Sequence, residues 1–235
     1  MAGNRNASTL LRLLSCSLVL VAVVGRADAA RGVDVTSCGQ TVPRGRSGEL
    51  VGDLDCPLLP YGSYAVVLDK GARLETNGFT IRSSANGVRC LGPCRIYGAG
   101  ALERTEPACS GGVVSDAYGV FADGPLTIEE LTLSGFGFAV WGSARVRARG
   151  VALSGQCIGI GGNTAPITVR ESVITGNLGY GVAGVGRVTL LDSTVTGNLL
   201  DVIAGRKPRL RLSSCDTSGG GPGAPPDTWG VCGAP

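Results

Sequence analysis

A chain of 235 residues with 39 glycines, no histidine and 5% aromatic residues is long enough for one sizeable domain. Abundant glycine among many Val, Leu and Ile residues favours short strands joined by tight turns. The formal net charge is +3 and becomes +1 when the predicted signal segment described next is left out. Overall charge therefore selects neither nucleic acid nor an anionic membrane, and no nucleic acid partner is expected.

Residues 1–29 are typical of a secretory signal. A basic start is followed by an apolar run at 13–25 and by small residues at 27–29 that would form a cleavage site. The apolar run is too short to span a bilayer comfortably. A lipoprotein signal at Cys16 is disfavoured because the apolar stretch follows this cysteine. We expect a secreted protein, extracellular or periplasmic, with no membrane insertion after signal removal.

Eight of the nine cysteines remain after the signal. An even number of cysteines on an exported chain indicates disulfides, although many pairings are possible. Proximity in the sequence favours the pairs Cys38–Cys56, Cys90–Cys94 and Cys215–Cys232, which leaves Cys109–Cys157. A zinc site without histidine would need four thiolates, which an oxidising compartment disfavours.

The remaining chain divides into a repeat and its flanks. Residues 30–62 are predicted to cap the open end of a solenoid, and residues 63–219 to form its coils. Residues 99–116 interrupt the spacing and predict an inserted loop. Residues 220–235 are rich in Gly and Pro, and predict a tail that Cys232 ties to the last coil.

The repeat is marked by a Ser/Thr–Gly pair at the end of each unit, 20 to 22 residues apart. Apolar or small residues recur nine, seven, four and two positions before each marker glycine. The aligned sets are Leu126, Ile128, Leu131, Leu133; Val146, Ala148, Val151, Leu153; Ile167, Val169, Ser172, Ile174; and Val188, Leu190, Ser193, Val195. We align an earlier unit as Leu74, Thr76, Phe79, Ile81 and the last unit as Leu210, Leu212, Cys215, Thr217.

Spacings of two within each pair predict strands with one buried face, and the spacing of three between pairs predicts a corner. A third strand follows each glycine, as at 138–140 and 180–182. Three short strands per unit predict an all-β fold, a right-handed parallel β-helix. A leucine-rich repeat is the alternative, but Ser172 and Ser193 occupy a column where that fold needs leucine.

Three segments carry a family resemblance: Asn77-Gly-Phe-Thr-Ile81, Asn86-Gly-Val88, and the pattern I-x-V-x-x-S-x-I-x-G-N-x-x-Y-G-V at 167–182. The chain resembles the pectate-lyase-like superfamily over residues 63–219, and is most similar to its secreted right-handed parallel β-helix repeat proteins. Members that cleave pectate use Ca²⁺ and an arginine base. Hydrolases and epimerases of this fold rely on histidine, which this chain lacks, so the resemblance leaves only a lyase open.

Stacked coils turn sequence columns into ladders with steps of about 4.8 Å. Gln156, Asn177 and Asn198 form an amide column that is expected to fix a turn. The column five positions before the marker glycine contains Glu130, Gly150, Glu171, Asp192 and Ser214. Glu171 and Asp192 could act as an acid/base pair or bind Ca²⁺, or they could be solvated turn residues.

The weak catalytic candidates of a lyase are Arg147, Arg170, Glu171 and Asp192. Because these residues do not form a convincing calcium site, no cofactor is expected, although Ca²⁺ is possible for a lyase.

Two outward-facing features could bind a polysaccharide. The first is a row of arginines, interrupted by Glu129 and Glu171 as candidate partners of Arg149 and Arg170. The row comprises Arg145, Arg147, Arg149, Arg170, Arg187, Arg209 and Arg211. It could hold uronate carboxylates, or it could simply solubilise the surface.

The second feature is the pair Phe121 and Trp141, which could stack sugars. Beside these rings we expect a flat strip of Gly119, Ala139, Gly159 and Gly181, although the inserted loop could cover the rings instead. The ligand-binding candidates are Phe121, Trp141, Arg147 and Arg211.

Two functions remain compatible with these features. One is a secreted, non-catalytic module that binds glycan or has a structural role at the cell surface. The other is a divergent uronate lyase. The first is favoured because the repeat contains no recognisable catalytic constellation.

Overall fold

The computed structural model describes residues 32–106, 108–110, 113–114, 116–220 and 228–233. The predicted signal at 1–29 and the tail residues 221–227 lie outside this part. The described chain is an all-β, parallel β-helix of about 7 turns, which confirms the predicted fold class. It contains no helix, and so none long and apolar enough to cross a membrane.

Each coil supplies strands to three faces of the solenoid. The first face contains β1 (Val33–Val35), β3 (Ser47–Leu50), β6 (Arg73–Glu75), β9 (Cys94–Tyr97), β14 (Leu126–Glu129), β17 (Val146–Arg149), β20 (Ile167–Arg170) and the C-terminal parts of β22 (Tyr180–Leu191) and β24 (Leu200–Arg211). The second face contains β4 (Leu54–Cys56), β7 (Thr80–Ser83), β10 (Ala101–Arg104), β15 (Thr132–Ser134), β18 (Ala152–Ser154), β21 (Val173–Thr175), β23 (Thr194–Thr196) and β25 (Ser214–Cys215).

The third face contains β2 (Gln40–Val42), β5 (Tyr64–Leu68), β8 (Asn86–Cys90), β13 (Tyr118–Ala122), β16 (Phe138–Gly142), β19 (Ile158–Gly162), the N-terminal parts of β22 and β24, and β26 (Ser218–Gly219). The strands β11 (Cys109–Ser110) and β12 (Val113–Val114) form a separate antiparallel pair in the inserted loop.

Strand register in the middle coils confirms the predicted columns. Val146 pairs with Leu126 on one side and with Ile167 on the other, and Ile167 pairs with Val188. The second face repeats this arrangement with Leu133, Leu153, Ile174 and Val195. These side chains are at most 1% exposed and belong to one apolar core that runs along the solenoid.

The alignment of the last coil is wrong by two residues. Leu210 pairs with Leu190, and Cys215 pairs with Val195. The four columns of this coil are therefore occupied by Pro208, Leu210, Ser213 and Cys215. The error arose because Gly219, used as the marker, lies in a third-face strand and does not end the preceding one.

The early unit is also misaligned on the first face. Leu74 pairs with Ile96, which pairs with Ile128. Leu74 therefore belongs to the column of Ile128, seven positions before the marker glycine, and not to the predicted column nine positions before it. Ile81 keeps its predicted place through its pairing with Leu102. The corner between Leu74 and Ile81 is thus two residues longer than in later coils, and Asn77 within it adopts a positive φ of 51°.

The coils begin before residue 63. Strands of the predicted cap, 30–62, already pair with later coils: β2 with β5, β3 with β6, and β4 with β7. The loop predicted at 99–116 is shorter, because 101–104 form a regular second-face strand that pairs with β7 and β15. Beyond the last coil, the Trp229 indole donates to the Ala204 carbonyl at 3.0 Å.

All four predicted disulfides are present. Their Cα atoms are 5.7 Å apart in Cys38–Cys56, 6.0 Å in Cys90–Cys94, 5.6 Å in Cys109–Cys157 and 4.9 Å in Cys215–Cys232. Four disulfides in one chain fit an oxidising, extracellular environment.

The predicted amide column forms a buried ladder between the second and third faces. Asn177 Oδ1 accepts from the Gln156 backbone N–H at 3.1 Å, and Asn198 Oδ1 accepts from the Asn177 N–H at 3.0 Å. The ladder ends on Asp201, which is fully buried. Its Oδ1 accepts two hydrogen bonds from Asn198, and its Oδ2 accepts the N–H groups of Asp216 and Thr217 at 2.7 and 3.0 Å.

A serine ladder lies at the corner between the first and second faces. The hydroxyls of Ser172, Ser193 and Ser213 accept the backbone N–H groups of Val151, Ser172 and Ser193 at 3.2, 3.3 and 3.1 Å. These contacts explain the serine column that argues against a leucine-rich repeat, because each hydroxyl satisfies a buried donor of the preceding coil.

The outer residue of this corner has a left-handed backbone in five successive coils. The φ angles are 59° at Glu130, 62° at Gly150, 51° at Glu171, 50° at Asp192 and 49° at Leu212. In the last coil this corner position is occupied by Leu212, whereas Ser214 was predicted there. A left-handed conformation is costly for leucine, whose Cβ approaches the following carbonyl oxygen.

Replacing Leu212, which is 80% exposed, with asparagine is expected to stabilise the protein. Asparagine tolerates the left-handed region better, so we expect about 0.5–1 kcal/mol more free energy of unfolding. Leu178→Asn is the control, because Leu178 is 63% exposed and has no positive φ. Urea denaturation of both variants tests this, and equal shifts would contradict the backbone explanation.

Candidate functional site

The C-terminal half of the first face carries a dense set of cations on neighbouring outward columns. One outward column is formed by residues that pair in register on successive coils: Arg147, Thr168, Thr189 and Arg209. The adjacent column runs from Arg149 and Arg170 through Leu191 to Arg211, and Arg187 pairs in register with Arg206. We call this surface the basic face. It comprises the exposed residues Arg145, Arg147, Arg149, Arg170, Arg187, Arg206, Lys207, Arg209 and Arg211.

Most of this positive charge is not neutralised. Within the described residues, Arg149 is the only cation of the basic face with a carboxylate within 4.0 Å. Its Nε donates to Glu171 Oε2 at 2.8 Å, and this hydrogen bond raises the pKa of Arg149. Exposed guanidinium groups without partners keep all their donors available to an anionic ligand.

The N-terminal half of the same face is less basic, because Arg95 is paired there and Arg73 is the one exposed arginine of its described strands without a carboxylate within 4.0 Å. Arg95 Nε donates to Glu129 Oε2 at 2.8 Å, and the Tyr97 hydroxyl donates to Glu75 at 3.1 Å. Glu129 was predicted to pair with Arg149. It is in register with Arg149, but its carboxylate bonds to Arg95 of the preceding coil. Charge on the first face is thus polarised along the solenoid axis.

Two shallow depressions flank the Thr189–Arg209 ladder. One, of about 390 Å³, is lined by Thr164, Arg187, Thr189, Arg206 and Arg209 among others. The other, of about 660 Å³, shares Thr189 and Arg209 with the first and is lined in addition by Leu191 and Arg211. The arginines therefore border grooves along the surface.

The four weak catalytic candidates are not joined into a catalytic cluster in the described structure. Glu171 is bonded to Arg149, not to Arg170 or Arg147. Glu171 and Asp192 lie on successive exposed corners, where the left-handed backbone suits a turn residue. The described part of the chain contains no group of three or more His, Cys, Asp or Glu side chains that could hold a metal ion.

The third face carries a stripe of half-buried rings. Phe121 is in register with Trp141, as predicted, and Tyr118 with Phe138. The Tyr118 and Phe138 rings stack at 5.1 Å, while Phe138 meets Trp141 edge-to-face at 5.2 Å. The Arg89 guanidinium lies 4.2 Å above Phe121 and is held by Asp123 at 2.7 Å. Phe121 is therefore partly covered by a cation.

The small-residue strip predicted beside these rings faces the interior instead. Gly119, Ala139, Gly159 and Gly181 are buried. A Cβ added at Gly119 would lie 2.8 Å from Leu133 Cδ2, and one at Gly159 would lie 2.9 Å from Ile174 Cγ2. The residue beneath the Trp141 indole is Gly161. Trp141 itself lines an apolar groove of about 430 Å³ together with Tyr180.

The described residues Ala108 and Cys109 of the inserted loop contact the corner between the second and third faces. The Ala108 N–H donates to the Gly135 carbonyl at 2.8 Å, and Cys109 is bonded to Cys157. The described loop residues are thus anchored beside the amide ladder.

The four predicted ligand-binding residues belong to two separate surfaces. Phe121 and Trp141 lie on the third face, whereas Arg147 and Arg211 lie on the first face. Arg211 is three coils beyond Arg147, about 14 Å along the axis. Arg206 and Lys207 of the basic face were not predicted, although they form a basic pair before Pro208 in the sequence.

Comparison with protein-family models, with curated proteins and with solved structures finds no match for this chain. The chemistry of the two surfaces is consequently the basis on which a function is assigned.

Proposed function

We propose that this protein is a secreted, non-catalytic module that binds an acidic polysaccharide on the basic face. The observation that carries the proposal is the row of exposed, unneutralised arginines on successive coils. The disulfide-stabilised solenoid gives these side chains a fixed spacing. A rigid scaffold of this kind reduces the entropy lost when an extended ligand is bound.

An extended polyanion matches the basic face better than a compact anion does. The guanidinium groups follow the axis over about 14 Å in steps of about 4.8 Å, with threonine hydroxyls between Arg147 and Arg209. Arginine can hold carboxylates through two parallel hydrogen bonds. A uronate chain offers one carboxylate per acidic sugar and hydroxyls that can bond to Thr168 and Thr189.

The chain's resemblance to the pectate-lyase-like superfamily supports the same class of ligand. A divergent uronate lyase is the second candidate, motivated by the arginines near Glu171 and Asp192. Glu171 is already bonded to Arg149, which supports binding without cleavage. We therefore propose that no Ca²⁺ is required for the interaction.

The double variant Arg170→Gln and Arg209→Gln is expected to weaken binding to polygalacturonate at least about tenfold. Each exposed contact to a carboxylate contributes about 1 kcal/mol, and the loss should shrink at high salt. Affinity on immobilised polygalacturonate, measured across ionic strengths, provides the test.

The matched control is Arg44→Gln and Arg73→Gln. These exposed arginines lie towards the N-terminal end, and their removal changes the net charge equally. The control should bind nearly as tightly as the parent protein. Equal weakening in both double variants would show that the attraction is non-specific and would contradict the proposed site.

A further inference from the structure

Two Asn–Gly dipeptides occur in the chain, Asn77-Gly78 and Asn86-Gly87. In such a pair the backbone nitrogen that follows the asparagine can approach the side-chain amide with little steric hindrance, because glycine has no Cβ. The surroundings of the two pairs differ. One pair forms an exposed corner of the solenoid and the other begins a buried strand, so the same chemistry can be compared at two places in one molecule.

The first pair occupies the corner between β6 and β7. The Phe79 N–H donates to the Thr76 carbonyl at 2.8 Å, and the φ angles are 51° at Asn77 and 81° at Gly78. Positive φ at both central residues is typical of a type I′ turn. Both residues are exposed, and a Cβ built at Gly78 would meet no atom of a non-adjacent residue within 4 Å. The corner therefore has open space around Gly78.

The Asn77 amide is held by a single hydrogen bond within the described residues. Its Nδ2 donates to the Leu50 carbonyl of the preceding coil at 3.1 Å. The Gly78 N–H donates to no described backbone carbonyl. Opening this turn therefore breaks two hydrogen bonds at the surface, one from Asn77 to Leu50 and one from Phe79 to Thr76. Local openings of this size occur in native proteins without global unfolding.

The second pair is locked in the third face. Asn86 is 3% exposed, its Oδ1 accepts from the Tyr118 N–H at 2.8 Å, and its Nδ2 donates to the Ser63 carbonyl at 2.9 Å. A Cβ built at Gly87 would lie 2.4 Å from the Gly119 carbonyl oxygen, so the next coil leaves no free space there. Reorienting Asn86 would require β8 to separate from β5 and β13, with which it pairs on either side.

We propose that Asn77 is a site of spontaneous deamidation. The Gly78 backbone nitrogen attacks Asn77 Cγ and forms a C–N bond, while the Cγ–Nδ2 bond breaks. The proton lost by the Gly78 nitrogen is transferred to Nδ2, which leaves as ammonia. The resulting cyclic imide then adds water at one of its two carbonyl groups. Ring opening gives either aspartate or isoaspartate at position 77, so water is the only co-reactant and nothing is oxidised or reduced.

The reaction changes the charge and the contacts of this corner. A carboxylate replaces the neutral amide and, because it only accepts hydrogen bonds, it repels the Leu50 carbonyl oxygen that Nδ2 had contacted. Isoaspartate also lengthens the backbone of the corner, because the chain then runs through the side-chain carbons. The modified protein is therefore more acidic and less stable than the parent. Asn77 lies in the N-terminal half of the solenoid, so this inference does not rest on glycan binding at the basic face.

The test is incubation of the folded protein in warm, mildly alkaline buffer, followed by separation by charge and by peptide mass spectrometry. We expect an acidic form whose modification maps to Asn77, with conversion there at least about tenfold faster than at Asn86. The same incubation in urea is the reference, because both pairs should convert at similar rates once the chain is unfolded. Asn77→Gln should remove the acidic form, since the longer side chain closes the ring much more slowly.

Asn77→Asp is the marker for the product. This variant should elute with the acidic form and should unfold at a lower urea concentration than the parent protein. Equal conversion at Asn77 and Asn86 in the folded protein would overturn the proposal. An Asn77 that stays intact in the folded protein, over the time in which the unfolded chain converts, would overturn it as well.

Discussion

Replacing Asp201 with alanine is expected to lower the free energy of unfolding by about 3–5 kcal/mol. Its two carboxylate oxygens accept four hydrogen bonds and are fully buried. Removal leaves the backbone donors of Asn198, Asp216 and Thr217 without acceptors, and each buried unsatisfied donor costs about 1–3 kcal/mol before relaxation. Urea denaturation followed by circular dichroism measures the loss.

Asp201→Asn should also destabilise the protein, by about 2 kcal/mol, because an amide NH₂ would face N–H donors. Asp192→Asn is the matched control. Asp192 is exposed at a left-handed corner, so the same change there should alter stability by less than about 0.5 kcal/mol. Similar losses at both positions would contradict the role assigned to Asp201 at the end of the ladder.

Removing the Cys109–Cys157 disulfide by double alanine substitution is expected to cost about 4 kcal/mol. This disulfide closes a segment with a sequence separation of 48, the longest of the four. In the chain-entropy description, stabilisation increases with the logarithm of loop length. The disulfide also anchors the described part of the inserted loop beside the amide ladder.

The Cys90–Cys94 disulfide is the natural control, since its sequence separation is 4. The same relation predicts a loss of only about 2 kcal/mol for its double alanine variant. Thermal and urea unfolding of both variants give the comparison. A larger loss for the short loop would show that loop entropy does not govern the ranking.

The middle coils were predictable because apolar spacing of two marks strands with a buried face. Val146, Ile167 and Val188 share one column in the sequence and one ladder in the structure. The last coil was misaligned because Gly219 lies in a third-face strand, so the Ser–Gly pair there does not mark the end of a second-face strand. The cap was misjudged because the short strands β1–β4 lack the marker glycine.

The candidate sites were predictable only in part. Arginines at alternating positions indicated an outward row, and the structure places them together. The direction of Gly119 and Gly159 could not be inferred, because glycine has no side chain whose polarity distinguishes inside from outside. Tyr61 lines the same depression as Arg104 and Asp116, which lie two coils further along the chain, and no local pattern in the sequence indicates that proximity.

The most direct test of the account is to incubate the disulfide-bonded protein with pectate, alginate and glycosaminoglycans, with Ca²⁺ or with a chelator. Binding is followed by co-sedimentation, and cleavage by the ultraviolet absorbance of unsaturated uronate products. We predict salt-sensitive binding to at least one acidic glycan, unaffected by chelator, with no rise in absorbance. Calcium-dependent absorbance, or no binding to any of these polymers at low salt, would contradict the assignment as a non-catalytic glycan-binding module.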